Sequence, residues 1–365
     1  MNASESNPET PPPLSRAGLA LRFGIIGAVL GGIAGLFAYV GGWLTPHALS
    51  PTAMVDRFQQ VNGTFPGFRR NHAKGVCIAG TFESNGNGVA LSRAAVFPAG
   101  RVPFVGRFAF AGGKPYVPDS SRIVRSLAIL FQLPNGEEWR TGCINIPVFP
   151  VHTPQAFYDL LLASAPDPAT GKPDGAKMKA FIEKYPEAGR NFPVIGANPG
   201  SSGFDNSTYN GLNAFRFINA AGEVTPVRWS LVPVQPFAPI GPEPEKADKN
   251  YLFDALIAAI HRGPLQWRLV VTVGQPGDPT GDASAMWPAD RKQVDVGMLT
   301  IDRIESEDTS PTRDITFDPL VLPDGIAASD DPLLSARSAA YLKSFARREG
   351  ERKEPSAVSP AEVAK

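Results

Sequence analysis

The sequence has little cysteine and no excess charge of either sign, and each absence excludes classes of function. Its two cysteines, Cys77 and Cys143, are too few and too far apart for a CxxC zinc site or a disulfide framework. Both lie in segments predicted as neighbouring strands. The sequence is therefore compatible either with two separate buried thiols or with a single disulfide bridge between them. Neither has the basic or helix N-terminal surroundings of a peroxiredoxin thiolate. The 35 basic residues balance 35 acidic ones, so no nucleic-acid partner is expected.

Long apolar runs are scarce too, and the one long run lies near the N-terminus, from Phe23 to Leu44. As a helix it spans about 33 Å, which matches a hydrocarbon core of roughly 30 Å. It is longer than the apolar region of most signal peptides, and no clear cleavage site follows. We therefore predict an uncleaved transmembrane helix over residues 23–44. Arg16 and Arg22 precede it, and this charge bias places the N-terminus in the cytoplasm and the rest of the chain in the periplasm or another extracytoplasmic space.

The two ends of the chain carry too little apolar surface to order themselves. Residues 1–22 are predicted to form a disordered cytoplasmic tail, and residues 349–365 a second disordered tail. The folded domain is predicted over residues 51–348. Glycines at GxxxG spacing in the apolar run could pack two such helices together, so a homo-oligomer is one of the alternatives.

The 37 prolines and 36 glycines indicate many turns and favour a fold rich in short strands. Eight alternating or apolar segments are predicted as strands: Gly75–Thr81, Val105–Phe110, Arg125–Gln132, Asn145–Val151, Ala214–Asn219, Val227–Val232, Trp267–Val273 and Val294–Asp302. Three amphipathic segments are predicted as helices: Pro154–Ser164, Asp174–Tyr185 and Asn250–Arg262. The fold class is therefore α+β, an antiparallel eight-stranded barrel with packed helices after one transmembrane helix.

A last helix is predicted over Leu333–Arg348, because Asp331 can cap it and Pro332 suits its first turn. Helical spacing places Arg337, Tyr341 and Arg348 on one face. A solvated face would explain this stripe. Alternatively, Arg337 lies one turn before Tyr341 and can hydrogen-bond the phenol oxygen, which favours the phenolate, a strong ligand for ferric iron.

The segment FRRNHAKGVCIAGTFE, Phe68–Glu83, resembles the distal-histidine segment of haem catalases, in which a histidine is followed by Ala-Lys-Gly. Further similar segments follow in the family's order: RFAFAGG from Arg107, SRIVRSLAILF from Ser121, NIPVFPVHTPQAF from Asn145, TYNGLNAFRFINAAGE from Thr208 and ITFDPLVLPDGIAASDDPLL from Ile315. The resemblance covers roughly residues 51–348. The chain is identified as a member of the catalase-related peroxidases, the shortened branch of the catalase superfamily.

This resemblance implies a catalase-like barrel that binds haem b. It implies that Tyr341 is the axial ligand of the haem iron and that His72 is the catalytic acid and base. It also implies that four arginines hold the cofactor, namely Arg69, Arg107, Arg337 and Arg348.

Three positions depart from the pattern of large catalases. A serine that supports the distal histidine is replaced by Ala109, and the valine before that histidine by Asn71. Ile144 falls on the asparagine that holds peroxide, and the neighbouring Asn145 is kept as a second catalytic candidate. A slip of one residue in a strand turns a side chain to the opposite face, so Asn145 does not simply inherit that role.

The sequence therefore predicts a haem peroxidase. It would reduce hydrogen peroxide or organic hydroperoxides with electrons from a small organic donor, with weak catalase activity at most. The shortened chain lacks the wrapping segment of large catalases, and its distal pocket lacks their full set of peroxide-holding groups. The alternatives are a haem carrier or sensor with little turnover, an enzyme that rearranges lipid hydroperoxides, and a single-pass interaction protein without a cofactor.

Overall fold

The computed structural model describes residues 15–40, 49–120, 122–167, 170–242 and 248–365. The chain divides into two units, residues 1–50 and residues 51–365. In the first, helix α1 spans Arg16–Val40. By length and composition it could cross a membrane, a test that a signal sequence near the N-terminus also passes.

Helix α1 begins inside the segment predicted as a disordered tail. The Ser15 hydroxyl accepts a hydrogen bond from the Gly18 N–H at 3.1 Å, and this contact satisfies one free donor of the first turn. The arginine, alanine and leucine residues that follow are good helix formers. The predictions for residues 1–14 and 41–44 lie outside the described residues.

The second unit contains one antiparallel sheet of nine strands. They are β1 Gly75–Ser84, β2 Gly100–Phe110, β3 Arg125–Gln132, β4 Glu138–Ile144, β5 Tyr209–Ile218, β6 Val224–Pro233, β7 Leu265–Val273, β8 Gln293–Glu305 and β9 Ile326–Ala328. The strand order is β4-β3-β2-β1-β8-β7-β6-β5-β9. Ile144 of β4 pairs with Asn210 of β5, which closes eight strands into a barrel, while β9 pairs with the other end of β5. The predicted eight-stranded antiparallel barrel is confirmed.

Period-2 alternation explains which side chains fill the barrel. On β3, Leu127, Ile129 and Phe131 are buried in the main hydrophobic core, as expected for alternate residues that face inward. Trp139 and Trp229 meet edge to face there, with ring centroids 5.1 Å apart. The interior is therefore filled with side chains, and the large cavity of this domain lies outside the barrel wall.

Helices cover that outer wall. They are α2 Pro51–Asn62, α3 Pro154–Ala163, α4 Gly175–Lys184, α5 Pro186–Ala197, α6 Tyr251–Arg262, α7 Pro332–Glu349 and α8 Pro360–Val363. The sequence indicated α3, α4, α6 and α7, whereas α2 and α5 were not predicted. Helices α2, α3 and α7 pack against one another, and the candidate site lies between them and the barrel.

The predicted strand Asn145–Val151 is wrong. It contains Pro147 and Pro150, which cannot donate to a sheet ladder, and it forms bends instead. The strand in this region is the preceding β4, whose alternation places Trp139, Thr141 and Cys143 inside. The strand therefore ends one residue before Asn145.

The C-terminal segment also differs from its prediction as a disordered tail. Residues 350–365 lie against the barrel, where Val358 is fully buried. The Asn250 amide donates to the Ala357 carbonyl at 2.8 Å and to the Glu362 carboxylate at 2.7 Å. A segment poor in apolar residues is ordered here because its polar groups find specific partners on the folded domain.

The two thiols are far apart in the sheet. Cys77 lies on β1 and Cys143 on β4, with β2 and β3 between them, so the expectation of neighbouring strands is wrong. Both are free and buried. Burial raises the pKa of Cys77 to about 12 and that of Cys143 to about 11, which keeps both protonated and unreactive at neutral pH.

Candidate active site

A cavity lies between the outer wall of the barrel and helices α2, α3 and α7. It encloses about 1180 Å³, including a part open to solvent. Its walls are mainly apolar, with aromatic side chains contributed by Phe58, Phe149, Phe157 and Phe345. His72 and Tyr341 both line it, and both also line a smaller adjoining cavity. The structure thus brings the two principal predicted site residues to one space.

Helix α7 positions the phenol. Asp331 caps the helix by accepting a hydrogen bond from the Leu333 N–H at 2.9 Å, and Pro332 occupies the first turn, as predicted. Leu333 and Leu334 are buried, which fixes the rotation of the helix and directs Ala336, Ala340 and Tyr341 to the cavity. Among the described residues, the Tyr341 hydroxyl has no hydrogen-bond partner, so its oxygen is available to a ligand.

The expected bond from Arg337 to this phenol is not present. The Arg337 guanidinium donates instead to the side-chain oxygen of Asn213, and the Asn213 amide nitrogen donates to Asp331 at 2.8 Å. Arg337 still lines the cavity beside Tyr341. The hydrogen-bond partner of Arg337 is therefore Asn213 and not the phenol.

His72 has an unusual backbone conformation. Its φ of 58° is positive, as for no other non-glycine residue in the described ranges, and this region costs an L-residue roughly 1–2 kcal/mol. Two contacts hold it there. The Arg107 guanidinium donates to the His72 carbonyl at 2.6 Å, and the His72 N–H donates to the Asn71 side-chain oxygen at 3.1 Å.

The residues after His72 anchor this turn to the barrel. The buried Lys74 ammonium donates to Asp119 at 2.6 Å and to the Val117 carbonyl at 2.7 Å. Asp119 also accepts from the first N–H groups of α6. Gly75 is required because a Cβ there would collide with the backbone carbonyl oxygen of Phe108 and would lie 2.6 Å from the Arg107 guanidinium. The Lys-Gly pair thus has a structural role, and His72 is left to face the cavity.

The ring of His72 is oriented by Ser126 of β3. The Ser126 hydroxyl oxygen lies 3.1 Å from Nδ1 of His72 and 3.2 Å from the Ala109 carbonyl oxygen. A hydroxyl has one proton, and a carbonyl only accepts, so the hydroxyl donates to Ala109 and accepts from Nδ1–H. Nε2 then carries the lone pair. The structure therefore supplies a support that the sequence, with Ala109 in place of a serine, indicated to be missing.

The imidazole is held in its neutral form. Burial, and next the positive charges of Arg107, Arg337 and Arg69, lower the pKa of His72 to about 3. A neutral imidazole with a free Nε2 is a competent general base at neutral pH.

Behind His72, Arg69 and Arg107 share the buried carboxylate of Glu307. Arg69 donates to it at 2.8 Å, and Arg107 at 2.7 and 3.1 Å. Arg69 also donates to the carbonyls of Arg313 and Ile315, each at 2.9 Å. Burial, and next the charge of Arg107, lower the pKa of Arg69 to about 9, so it stays charged. The guanidinium groups of both arginines therefore donate to Glu307 and to backbone carbonyls. Arg107 lines the smaller cavity alone, whereas Arg69 lines both cavities.

Arg348 lies at the other end of α7 and lines the large cavity. It donates to the Arg313 carbonyl at 2.8 Å, and its nearest carboxylate oxygen, on Asp314, is 3.7 Å away. Burial lowers its pKa. Together with Arg69 and Arg337 it gives the cavity a positive wall, which favours an anionic ligand.

Asn145 is placed differently from the other predicted residues. Its side-chain oxygen accepts from the Arg125 N–H at 2.7 Å, and its own N–H donates to the Arg125 carbonyl at 3.0 Å. Ile144, which precedes it, lines both cavities, and Asn145 lines neither. This is the face reversal expected for adjacent residues at a strand end.

Three residues of the site were not predicted: Ser126, Asn213 and Glu307. Asn213 and Glu307 had no sequence signal, because their partners are more than a hundred residues away in the chain. Ser126 could be found through strand pairing, since it lies directly opposite Ala109 in the register of β2 and β3. The hydroxyl expected on one strand is carried by its cross-strand neighbour.

Comparison with known proteins agrees with this fold. A family model described as catalase matches residues 42–358. A catalase-related peroxidase of Synechococcus elongatus is 38% identical over 82% of this chain and 89% of its own length. A catalase-related peroxidase of Mycolicibacterium paratuberculosis is 31% identical over 83% of this chain and 96% of its own length.

The longer catalases are more distant. A solved bacterial catalase has 21% identity and a TM-score of 0.69, with 83% of this chain covered. This chain spans 62% of that protein and 60% of the catalase of Pseudomonas syringae, to which it is 27% identical. The family model covers most of the chain, and the two shorter relatives match it over most of their own length, so the chain belongs to the catalase family.

Proposed function

We propose that this protein is a haem peroxidase in which Tyr341 would supply a ligand to the haem iron and His72 would move the proton of the peroxide. The observation that carries the proposal is that a half-buried, neutral imidazole and an unpaired phenol line one cavity. Members of the catalase family generally bind haem, and the relatives that match along most of their length are named peroxidases. The chain is accordingly an oxidoreductase of the peroxidase class.

The residues of the cavity fit haem b. Apolar walls suit a porphyrin face, a phenol oxygen is a hard anionic donor for ferric iron, and arginines suit propionate carboxylates. Tyr341 would supply the phenol oxygen as a ligand to the haem iron, and Arg69 and Arg348 would bind the propionates. Arg337 lines the cavity beside Tyr341, and Arg107 holds His72 through its backbone. When bound, haem supplies the iron at which the O–O bond of the peroxide is cleaved.

His72 moves the proton. Its Nε2 takes a proton from one peroxide oxygen and returns it to the other, which makes the departing oxygen a neutral leaving group. Ser126 keeps Nε2 in the unprotonated tautomer by accepting from Nδ1–H.

The proposed reaction consumes one peroxide and oxidises a small organic donor, with weak catalase activity at most. Ile144 rather than Asn145 faces the cavity, so this segment offers no amide to a second peroxide. The cavity is open to solvent, which suits access by an organic donor.

We further propose that α1 anchors the enzyme in a membrane, with the haem domain in an extracytoplasmic space. The charge bias around this helix supports this orientation.

The proposal is tested with two variants of the full chain. Tyr341→Phe removes the phenol oxygen that would bind the iron, and it should shift or abolish the visible haem bands. His72→Ala should keep the haem content of the parent and lose peroxide-dependent dye oxidation by roughly a hundredfold or more, the usual contribution of a general acid–base. Full activity in His72→Ala, or an unchanged spectrum in Tyr341→Phe, would refute the assignment.

A further inference from the structure

The side chain of Asn71 is held in one orientation at the edge of the cavity. Its oxygen accepts two backbone hydrogen bonds, from the N–H of His72 at 3.1 Å and from the N–H of Gly112 at 2.8 Å. An N–H cannot donate to an amide NH2, so these two donors fix which end of the amide is oxygen. The nitrogen must therefore point the other way.

That nitrogen, Nδ2, is an unused donor. It makes no hydrogen bond to any residue that the structure describes, and it is not among the buried polar atoms sealed from solvent. Asn71 lines both the large and the small cavity, together with His72 and Ile144. An amide donor beside the base is thus directed to the space in which peroxide must lie.

Among the described residues, the segment at Ile144 and Asn145 offers no such donor. Ile144 is apolar, and the amide oxygen of Asn145 is occupied by the backbone of Arg125 outside both cavities. A peroxide whose proton is being taken by His72 develops negative charge, and one oriented donor stabilises such charge strongly in a poorly solvated site.

We propose that the Nδ2 amide of Asn71 hydrogen-bonds the peroxide oxygen from which His72 takes its proton. Asn71 is then a substrate-binding residue. The amide donor comes from the residue next to the histidine and not from the segment at Asn145. Its N–H is not transferred, so the proton balance of the reaction is unchanged. This inference rests on the proposed peroxidase function.

The experiment compares Asn71→Asp with Asn71→Val in the haem-loaded full chain. Asp keeps an oxygen for the N–H groups of His72 and Gly112 but lacks the donor, and Val removes the donor without adding charge. In both, the second-order rate constant for hydrogen peroxide should fall by roughly ten- to a hundredfold. The rate with the organic donor at saturating peroxide should stay near that of the parent.

A second measurement does not depend on turnover. Cyanide bound at the iron accepts a hydrogen bond from a distal donor, so its dissociation constant, titrated by absorbance, should rise by a similar factor in both variants. The control is Asn219→Asp, because the Asn219 oxygen also accepts two backbone bonds, from Ala221 and Glu223, at an exposed turn outside the cavity. It should match the parent in both measurements.

Each outcome decides the matter. Parent-like values in Asn71→Asp and Asn71→Val overturn the inference. A loss in Asn71→Val alone also overturns it, because the oxygen contacts to the backbone would then be the whole role of Asn71. Failure of the peroxidase proposal itself is separate, since it appears as full activity in His72→Ala.

Discussion

At the scale of single residues, the site is built around the placement of one imidazole. The backbone of His72 is held in a left-handed conformation by Arg107 and Asn71, and its ring is held by Ser126. The hydroxyl of Ser126 comes from β3, although the family pattern expects it at Ala109 of β2. Because the two residues are paired across the strands, both positions face the same side of the sheet.

The pairing of Ser126 with Ala109 predicts that removal of one hydroxyl lowers the rate constant for peroxide and that a hydroxyl on the other strand restores it. Ser126→Ala should lower the rate constant for peroxide by roughly five- to tenfold, because a hydrogen bond of about 1 kcal/mol no longer fixes the ring. The double variant Ala109→Ser with Ser126→Ala should recover most of that rate, since the new hydroxyl stands opposite the lost one. Stopped-flow kinetics at equal haem content measure both, and a double variant as slow as the single one would contradict the idea.

The low pKa of His72 predicts the acid limit of the reaction. Its pKa is lowered from 6.5 to about 3 by burial and by neighbouring arginines, so the base stays unprotonated well below the usual range. The rate constant for peroxide should therefore remain near its neutral value at pH 5 and decline only as the pH approaches the lowered pKa. A pH profile of the first step, on the haem-loaded protein, tests this. A decline centred near pH 6.5 would contradict it.

At the scale of elements, the start of α7 is connected to the cavity. Asp331 caps the helix through one oxygen and accepts from Asn213 through the other. Asn213 in turn accepts from Arg337, which lies beside Tyr341. A change at the helix terminus is therefore passed to the guanidinium that faces the phenol.

Asp331→Ala should reduce both stability and haem affinity. Loss of the cap costs about 1 kcal/mol, and the unpaired Asn213 amide adds roughly 1–3 kcal/mol. Thermal unfolding and haem titration, followed by absorbance, measure the two effects. Asp174→Ala is the matched control, because it removes the cap of α4 without a bond to the site. It should lower the melting temperature alone, and an equal loss of haem affinity in both variants would disprove the connection.

At the scale of the whole molecule, the chain consists of an apolar helix and a separate barrel domain. The domain beginning at Pro51 holds nearly all of the packing, and the site residues all lie within it. The C-terminal segment belongs to this domain as well. Glu351 accepts hydrogen bonds from the buried Arg70 and from the Gly67 N–H, close to the turn that carries His72.

This division predicts that the barrel functions without α1. Deletion of residues 1–48 should leave haem content and peroxidase rate within about twofold of the parent, because domains with their own core fold alone. It should also move the protein from the membrane fraction to the soluble fraction of the cell. Fractionation and a dye-oxidation assay test both points. If the deleted protein sedimented with membranes as before, the anchor assignment would be wrong.

Local patterns were sufficient for much of the fold. The alternation of Arg125–Gln132 predicted β3, and the Asp331-Pro332 pair predicted the start of α7, because capping and period-2 burial act between near neighbours in the chain. The same reasoning failed at Asn145–Val151, where apolar alternation outweighed two prolines. It failed again at residues 350–365, whose order comes from distant partners such as Asn250.

The sequence by itself determined which groups this protein offers: a histidine in an Ala-Lys-Gly context, a tyrosine between arginines on a helix, and an apolar N-terminal run. Only the tertiary structure decided which of them meet, and how each is held. The hydroxyl that orients His72 is on the opposite strand, the partner of Arg337 is Asn213, and the amide directed to the cavity is that of Asn71. Such contacts depend on strand register and on long-range packing, which no local pattern encodes.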